Sequence, residues 1–210
     1  MIKKFAFALL LPTLICSCAQ NEKTSADSPT DKTSNVVIET IMSRRSIRDY
    51  QTRVVPRDTM QTILECGINA PNGMNKQEWA IRVVDNPEFI NGVTSLYLKE
   101  NPDASSDPKF RNIFRNAPTV VFIAAPESSY SGVNCGLLGE NMILAAWSMG
   151  IGSCCLGGPV RFMLSEPAAP YLAKLNIPEG YTLLYAIGFG FPAESPDAKP
   201  RDKAKIEYIE

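Results

Sequence analysis

Apolar residues recur at helical spacing in Val36, Val37, Ile38, Ile41 and Met42, and this stripe delivers the chain to three arginines at positions 44, 45 and 48. A second helix opens at Pro56, Arg57 and Asp58, with Asp58 placed to cap it, carries Met60, Ile63, Leu64 and Gly67 at helical spacing, and ends near Ala70 and Pro71. Residues 79–84 read as a strand, and 87–99 as a helix. Residues 100–109 are polar and rich in Pro, Asp and Ser, a pattern that suits either a mobile lid or a surface excursion. Residues 110–116 are expected to form a short helix. The continuous apolar run at 119–125 predicts a strand covered on both faces.

Residues 133–149 make the strongest helix, apolar nearly all round, which places it in the interior or at a subunit interface. Gly150, Ile151 and Gly152 end it, and a glycine turn through Gly157 and Gly158 is expected next, free either to approach a ligand closely or to take positive φ. A helix over 162–175 is interrupted by Pro167 and Pro170, and 181–189 reads as a third strand. Strands interleaved with helices imply helices packed on a sheet, in an α+β or α/β arrangement.

The first eighteen residues change the picture from structure to address. Lys3 and Lys4 precede an apolar run over residues 5–15, eleven residues where a bilayer span needs about 20. That is the form of an export signal, and Leu14-Ile15-Cys16-Ser17-Cys18 resembles a bacterial lipobox with Cys18 as the lipid acceptor. An ordinary cleaved signal is the alternative, and either way the chain is expected to leave the cytoplasm. Residues 19–35 hold no aliphatic side chain larger than alanine, so they cannot offset their ordering entropy and read as a disordered tether. The folded domain is expected over 36–210.

Across 210 residues the net charge is −1, and the basic residues are dispersed apart from the cluster at 44–48, which argues against a nucleic-acid partner. The absence of histidine removes imidazole relays, His-based triads and His metal sites. With Cys16 gone in the signal, Cys66, Cys135, Cys154 and Cys155 remain beside the lipid-bearing Cys18. No metal-ligand spacing joins the four, and they read as packing residues.

Candidate chemistry sits in two places. Arg44, Arg45, Ser46 and Arg48 concentrate more donor capacity than a helix end requires, which suits an anion, although basic residues also complement a helix C-terminus. The loop at 70–79 is dense in amides, suited to a ring edge of alternating carbonyl and NH groups, although an Asx-turn connection reads the same way. Ile206, Tyr208 and Ile209 in the tail have no evident home within one chain, so a partner subunit would receive them.

Four stretches in order, RRSIRDY (44–50), APNGMNKQEW (70–79), MGIGSCCLGG (149–158) and GFGFPAESPDAKPR (188–201), resemble the nitroreductase family of FMN-dependent oxidoreductases. The resemblance implies an α+β fold with a mostly antiparallel central sheet flanked by helices, in an intertwined homodimer. It gives Arg44, Arg45 and Ser46 the FMN phosphate and ribityl region and sets Arg48 near the pyrimidine edge, where its charge would favour two-electron chemistry. Pro71, Asn72, Gly73, Asn75 and Gln77 match the flavin-contacting loop, while the main chain of Leu156, Gly157 and Gly158 matches the segment facing the reactive side of the ring. Lys199 and Arg201 match the basic pair completing the phosphate site.

No side chain is then expected to be catalytic in its own right. NADH or NADPH would reduce FMN in a ping-pong route, with a nitroaromatic, quinone or similar small acceptor taking the electrons. Glu78, Gly157 and Asn134 depart from common family residues, which bears on acceptor preference. Reductive dehalogenation and flavin fragmentation, both known in relatives, are alternatives, as is a lipid-anchored binding protein without catalysis.

Overall fold

The computed structural model describes residues 35–210, so the expected signal, Cys18 and all but the last residue of the expected tether lie outside the described residues. Among the described residues no helix is long and apolar enough to cross a membrane.

Helices α1 (Val36–Ser43) and α2 (Arg57–Ile68) precede strand β1 (Ala80–Val84), α3 (Pro87–Glu100), β2 (Thr119–Pro126) and α4 (Ser131–Ser148). Strand β3 (Gly152–Leu156), the short helices α5 (Gly158–Met163) and α6 (Ala169–Lys174), and strand β4 (Tyr181–Gly190) complete the fold. The strands form a single four-stranded sheet in the order β1-β2-β4-β3, every pair antiparallel.

Strand period decides the two cores. Val120, Phe122 and Ala124 of β2 point to one face, packing with α3, α5 and α6, and Val121, Ile123 and Ala125 point to the other, packing with α2 and α4. All seven residues of β2 from Thr119 to Ala125 are buried, so the strand is covered on both sides, as its continuous apolar run implies. The architecture is helix, sheet, helix, with the sheet wholly antiparallel. It is the α+β class.

Several expectations are corrected. Residues 152–156 are a strand rather than part of a turn: Cys154 and Cys155 pair with Gly188 and Ile187, so tertiary pairing overrides a local sequence without β-branched residues. Residues 110–116 form no helix, because side-chain bonds from Asn112 and Asn116 fold them into a compact loop. Asp58 is not the cap of α2. Pro56 holds that position with no side-chain cap, and Asp58 Oδ1 accepts from the adjacent Thr59 N at 2.7 Å. Of the four remaining cysteines only Cys135 and Cys154 are buried, and Cys66 and Cys155 are exposed. The irregular 100–109 stretch contains a 3-10 turn, Pro102–Ser106, and the break in the 162–175 helix falls at Leu164 and Ser165, ahead of Pro167.

Two apolar surfaces lack cover within the chain. Val36, Val37, Ile38, Ile41 and Met42 of α1 are 49–71% exposed, and Ile206, Tyr208 and Ile209 of the tail 69–89%. The stripe on α1 forms a helix, capped by Asn35 Oδ1, which accepts from Val37 N and Ile38 N. It does not bury its face.

Candidate functional site

The arginine segment is clamped against one end of the sheet. Ile47 N donates to Ser153 O at 2.9 Å beside a parallel bridge between Ser46 and Ser153, and Tyr50 bridges Pro192 in the antiparallel sense. Ala193 N donates to Asp49 O at 3.0 Å, Gln51 N to Phe191 O at 2.9 Å, and the Glu194 carboxylate accepts from the main-chain N–H groups of Arg48 and Asp49. Ile47 and Tyr50 are each 1% exposed, which fixes the spacing: the apolar members point inward and Arg48 is left pointing out. The Tyr50 hydroxyl donates to Ile47 O, and burial, then the neighbouring Cys154 and Glu194, push its acidity far below that of an ordinary phenol.

Glycine makes this docking possible. Gly152 and Gly190 face each other across β3 and β4. A Cβ on Gly152 would stand 2.7 Å from Ile47 Cγ1, and one on Gly190 would stand 2.8 Å from both Pro118 Cδ and Tyr50 Cδ1. Trp147 secures the preceding turn by donating from Nε1 to Ser43 Oγ at 2.9 Å.

Arg48 and Gly158 line one cleft of about 640 Å³, together with Tyr97, residues of the 104–116 segment, and Ala193 and Glu194. The volume is that of a small-molecule site. Gly157 has φ −94°, and Gly158 is likewise outside the positive-φ set, so the reason for glycine here is not backbone strain. Nothing lies within 4 Å of a Cβ built on either, and the main chain faces open space. Leu156 is 3% exposed, so its side chain belongs to the core and only its backbone is free to serve a ligand.

The remaining expected residues fall elsewhere. Arg45 donates to Met42 O at 2.9 Å and Arg44 O at 2.7 Å, the carbonyl-capping role open to any arginine at a helix C-terminus, whereas the Arg44 guanidinium has no hydrogen bond among the described residues. Lys199 and Arg201 are exposed, and Arg201 bonds only locally, to Lys199 O and Pro200 O. The tail pairs antiparallel with residues 48–50 as far as Glu194, and no hydrogen bond joins Lys199 or Arg201 to Arg44 or Arg45 among the described residues.

The amide loop divides into structural and free members. Asn72 holds the turn, accepting from Gln77 N at 2.9 Å and donating to Ala70 O at 3.3 Å, while Gly73 N donates to Asn134 Oδ1 at 3.2 Å. Pro71 is exposed at its start. Asn75 and Gln77 take positive φ of 53° each, and their exposed side chains make no hydrogen bond among the described residues. The register shows that this loop does not meet the arginines within one chain. It enters β1 opposite Ala124, whereas Ile47 and Tyr50 sit where Phe189 and Gly190 pair with Thr119 and Gly152. The five residue steps from Thr119 to Ala124 separate the two by about 17 Å along the strand.

Sequence reasoning missed the contribution of residues 104–116 to the cleft. Lys109, Phe110, Asn112 and Arg115 line it, from a stretch read partly as a lid and partly as a helix. The spacing of Asn112 and Asn116 between basic residues was the available signal.

The nitroreductase family profile matches residues 41–191. This chain belongs to the nitroreductase family. It is 26% identical to a putative NADH dehydrogenase/NAD(P)H nitroreductase of Methanothermobacter thermautotrophicus over 168 residues, covering 78% of this chain and 81% of that protein. It is 28% identical to the NADPH-flavin oxidoreductase of Vibrio harveyi over 179 residues, 82% of this chain and 72% of the relative. Among solved structures, a nitroreductase with bound FMN from Desulfitobacterium hafniense superimposes with a TM-score of 0.74 at 27% identity, covering 84% of this nitroreductase and 99% of that chain.

Proposed function

We propose that this nitroreductase is an FMN-dependent oxidoreductase that takes reducing equivalents from NADH or NADPH and delivers them to a nitroaromatic, quinone or similar small acceptor. The observation that carries it is the meeting of Arg48 with the open main chain at Gly158 in one cleft of about 640 Å³, in a chain whose relatives include a flavin oxidoreductase and an FMN-bound nitroreductase. The residues present fit the group. The bare backbone at Gly157 and Gly158 admits a ring at van der Waals distance, and Arg48, with a single 3.3 Å bond to Ser46 O, keeps its other donors for a ligand. When bound, FMN supplies the two-electron relay, and the chain's task is to hold and orient it.

The site is completed by a second copy. The loop that carries the free amides of Asn75 and Gln77 enters the sheet about 17 Å along the strand from the arginine segment, which favours a pairing in which the amide loop of one chain faces the cleft of the other. The exposed apolar residues of α1 and of the tail give such a dimer its buried surface.

Titrating the purified full chain with FMN, with absorption and sedimentation recorded together, tests both parts. The expected result is one FMN per chain and a mass of two chains. A protein that takes up no FMN refutes the activity, and a monomer that is fully loaded with FMN refutes the shared site.

The signal-like N-terminus and Cys18 support a form held at the bacterial envelope by lipid. Labelled palmitate is expected to enter the protein in the native host and to be lost with Cys18→Ser, and labelling of the Cys18→Ser variant equal to the parent refutes the anchor.

A further inference from the structure

The loop at 107–116 is held together by its own side chains. Asn116 Oδ1 accepts from Arg111 N at 2.8 Å and Asn112 N at 3.2 Å, and its Nδ2 donates to Lys109 O at 2.8 Å. Asn112 Oδ1 accepts in turn from Phe114 N at 2.9 Å and Asn116 N at 3.1 Å. Phe114 is fully buried and meets Phe122 edge-on at 5.7 Å, nailing the loop to the sheet. Within this frame Arg115 and Asn116 take φ of 57° and 66°. Left-handed backbone at a non-glycine residue is disfavoured and persists where the surroundings impose it, often beside a ligand.

That strain aims charge into the cleft. Lys109, Arg115 and Arg48 all line it, and neither the Lys109 ammonium nor the Arg115 guanidinium has a hydrogen bond or ion pair among the described residues. The carboxylates of the same wall are engaged. Asp49 pairs with Arg111 at 3.0 Å, Asp107 accepts from Lys109 N at 2.9 Å, and Glu194 accepts from the main chain of Arg48 and Asp49. With Asp49 offset by Arg111, the cations Arg48, Lys109 and Arg115 outnumber the carboxylates Asp107 and Glu194 by one, and the lining keeps a net charge of +1. Burial pushes the Cys154 thiol up, and Arg48 and Arg115 are both near enough to oppose that push.

We propose that Lys109 and Arg115 are ring-edge binding residues: with Arg48 they form a cationic wall that meets negative charge on a flat heterocycle seated in this cleft. This rests on the flavin reading above. A ring rather than a phosphate is favoured because Tyr97, Phe110 and Pro159 share the lining, giving flat apolar faces that a phosphate cannot use. A flavin ring gains one net negative charge when it takes two electrons and one proton, so a wall of this kind holds the reduced ring more tightly than the oxidised one.

The test uses the full chain and Arg115→Gln, with Lys109→Met as a second variant and Arg115→Lys as the charge-conserving control. FMN and riboflavin affinities and the two-electron midpoint potential are measured, with near-ultraviolet circular dichroism confirming the fold. Arg115→Gln is expected to lose about tenfold in the preference for reduced over oxidised FMN, a potential lower by about 30 mV. Riboflavin and FMN should weaken alike, and Arg115→Lys should recover most of the shift. An unmoved potential in both neutral variants overturns the proposal, as does weakening of FMN with riboflavin unaffected, which would assign the cations to the phosphate. Failure of the parent protein to bind either compound would overturn the flavin reading and this wall together, whereas binding with an unmoved potential overturns the wall alone.

Discussion

Gly152→Ala will destabilise the domain by about 2 kcal/mol and weaken FMN binding at the same time. A methyl group there meets Ile47 Cγ1 at 2.7 Å, Ile47 Cβ at 2.9 Å and Pro192 Cγ at 3.0 Å, and none of these is the end of a flexible side chain. Ile47 is 1% exposed and packs with Tyr50 and Ala117, so it has nowhere to retreat within the core. The segment 46–50 must therefore lift from β3, stretching the Ile47 N to Ser153 O bond and moving Arg48 out of register with Gly158. Chemical denaturation should show the loss in midpoint at unchanged slope, and flavin titration should show weaker binding at temperatures where the variant is still folded. Full stability with parental FMN affinity would mean that the segment is not held by this contact.

Arg48→Met will leave the fold intact and weaken FMN binding by roughly 10- to 100-fold, the range expected when a charge-assisted hydrogen bond is removed. The separation of effects follows from how Arg48 is attached. Its main-chain N–H holds the Glu194 carboxylate and survives the substitution, while its exposed side chain makes only the 3.3 Å contact to Ser46 O. Stability should change by no more than about 0.5 kcal/mol. Arg48→Lys should recover part of the affinity, because it restores the charge without the planar fork. Parental FMN affinity in Arg48→Met, measured by fluorescence titration, would remove Arg48 from the site.

How far the sequence could be read depended on whether local pattern or distant contact decided each element. Helices α1, α2, α3 and α4 and strands β1, β2 and β4 carry their own periodicity, and burial follows it in all of them except α1, whose apolar stripe stays exposed within one chain. Strand β3 does not. Gly-Ser-Cys-Cys-Leu has little strand preference of its own, and β4 recruits it by offering an unpaired edge. The short helix expected at 110–116 does not form, because two asparagine side chains compete successfully for the backbone N–H groups a helix would use.

The site was legible in the same partial way. Arg48 and Gly158, from segments more than a hundred residues apart in sequence, line one cleft. Arg45 instead caps α1, and Leu156 offers only backbone. The distance between the amide loop and the arginines depends on strand register, which no local motif encodes.

The chain contains two tryptophans. Trp147 bonds to Ser43, one residue before the arginine segment, and the main chain of Trp79 bonds to Gln77 at the end of the amide loop. Trp147 thus lies beside the arginine segment and Trp79 directly follows the amide loop, the two parts that the proposed dimer would bring together. Ultraviolet emission from single-tryptophan versions would report separately on each part, so ligand entry and subunit association can be followed without attaching a dye.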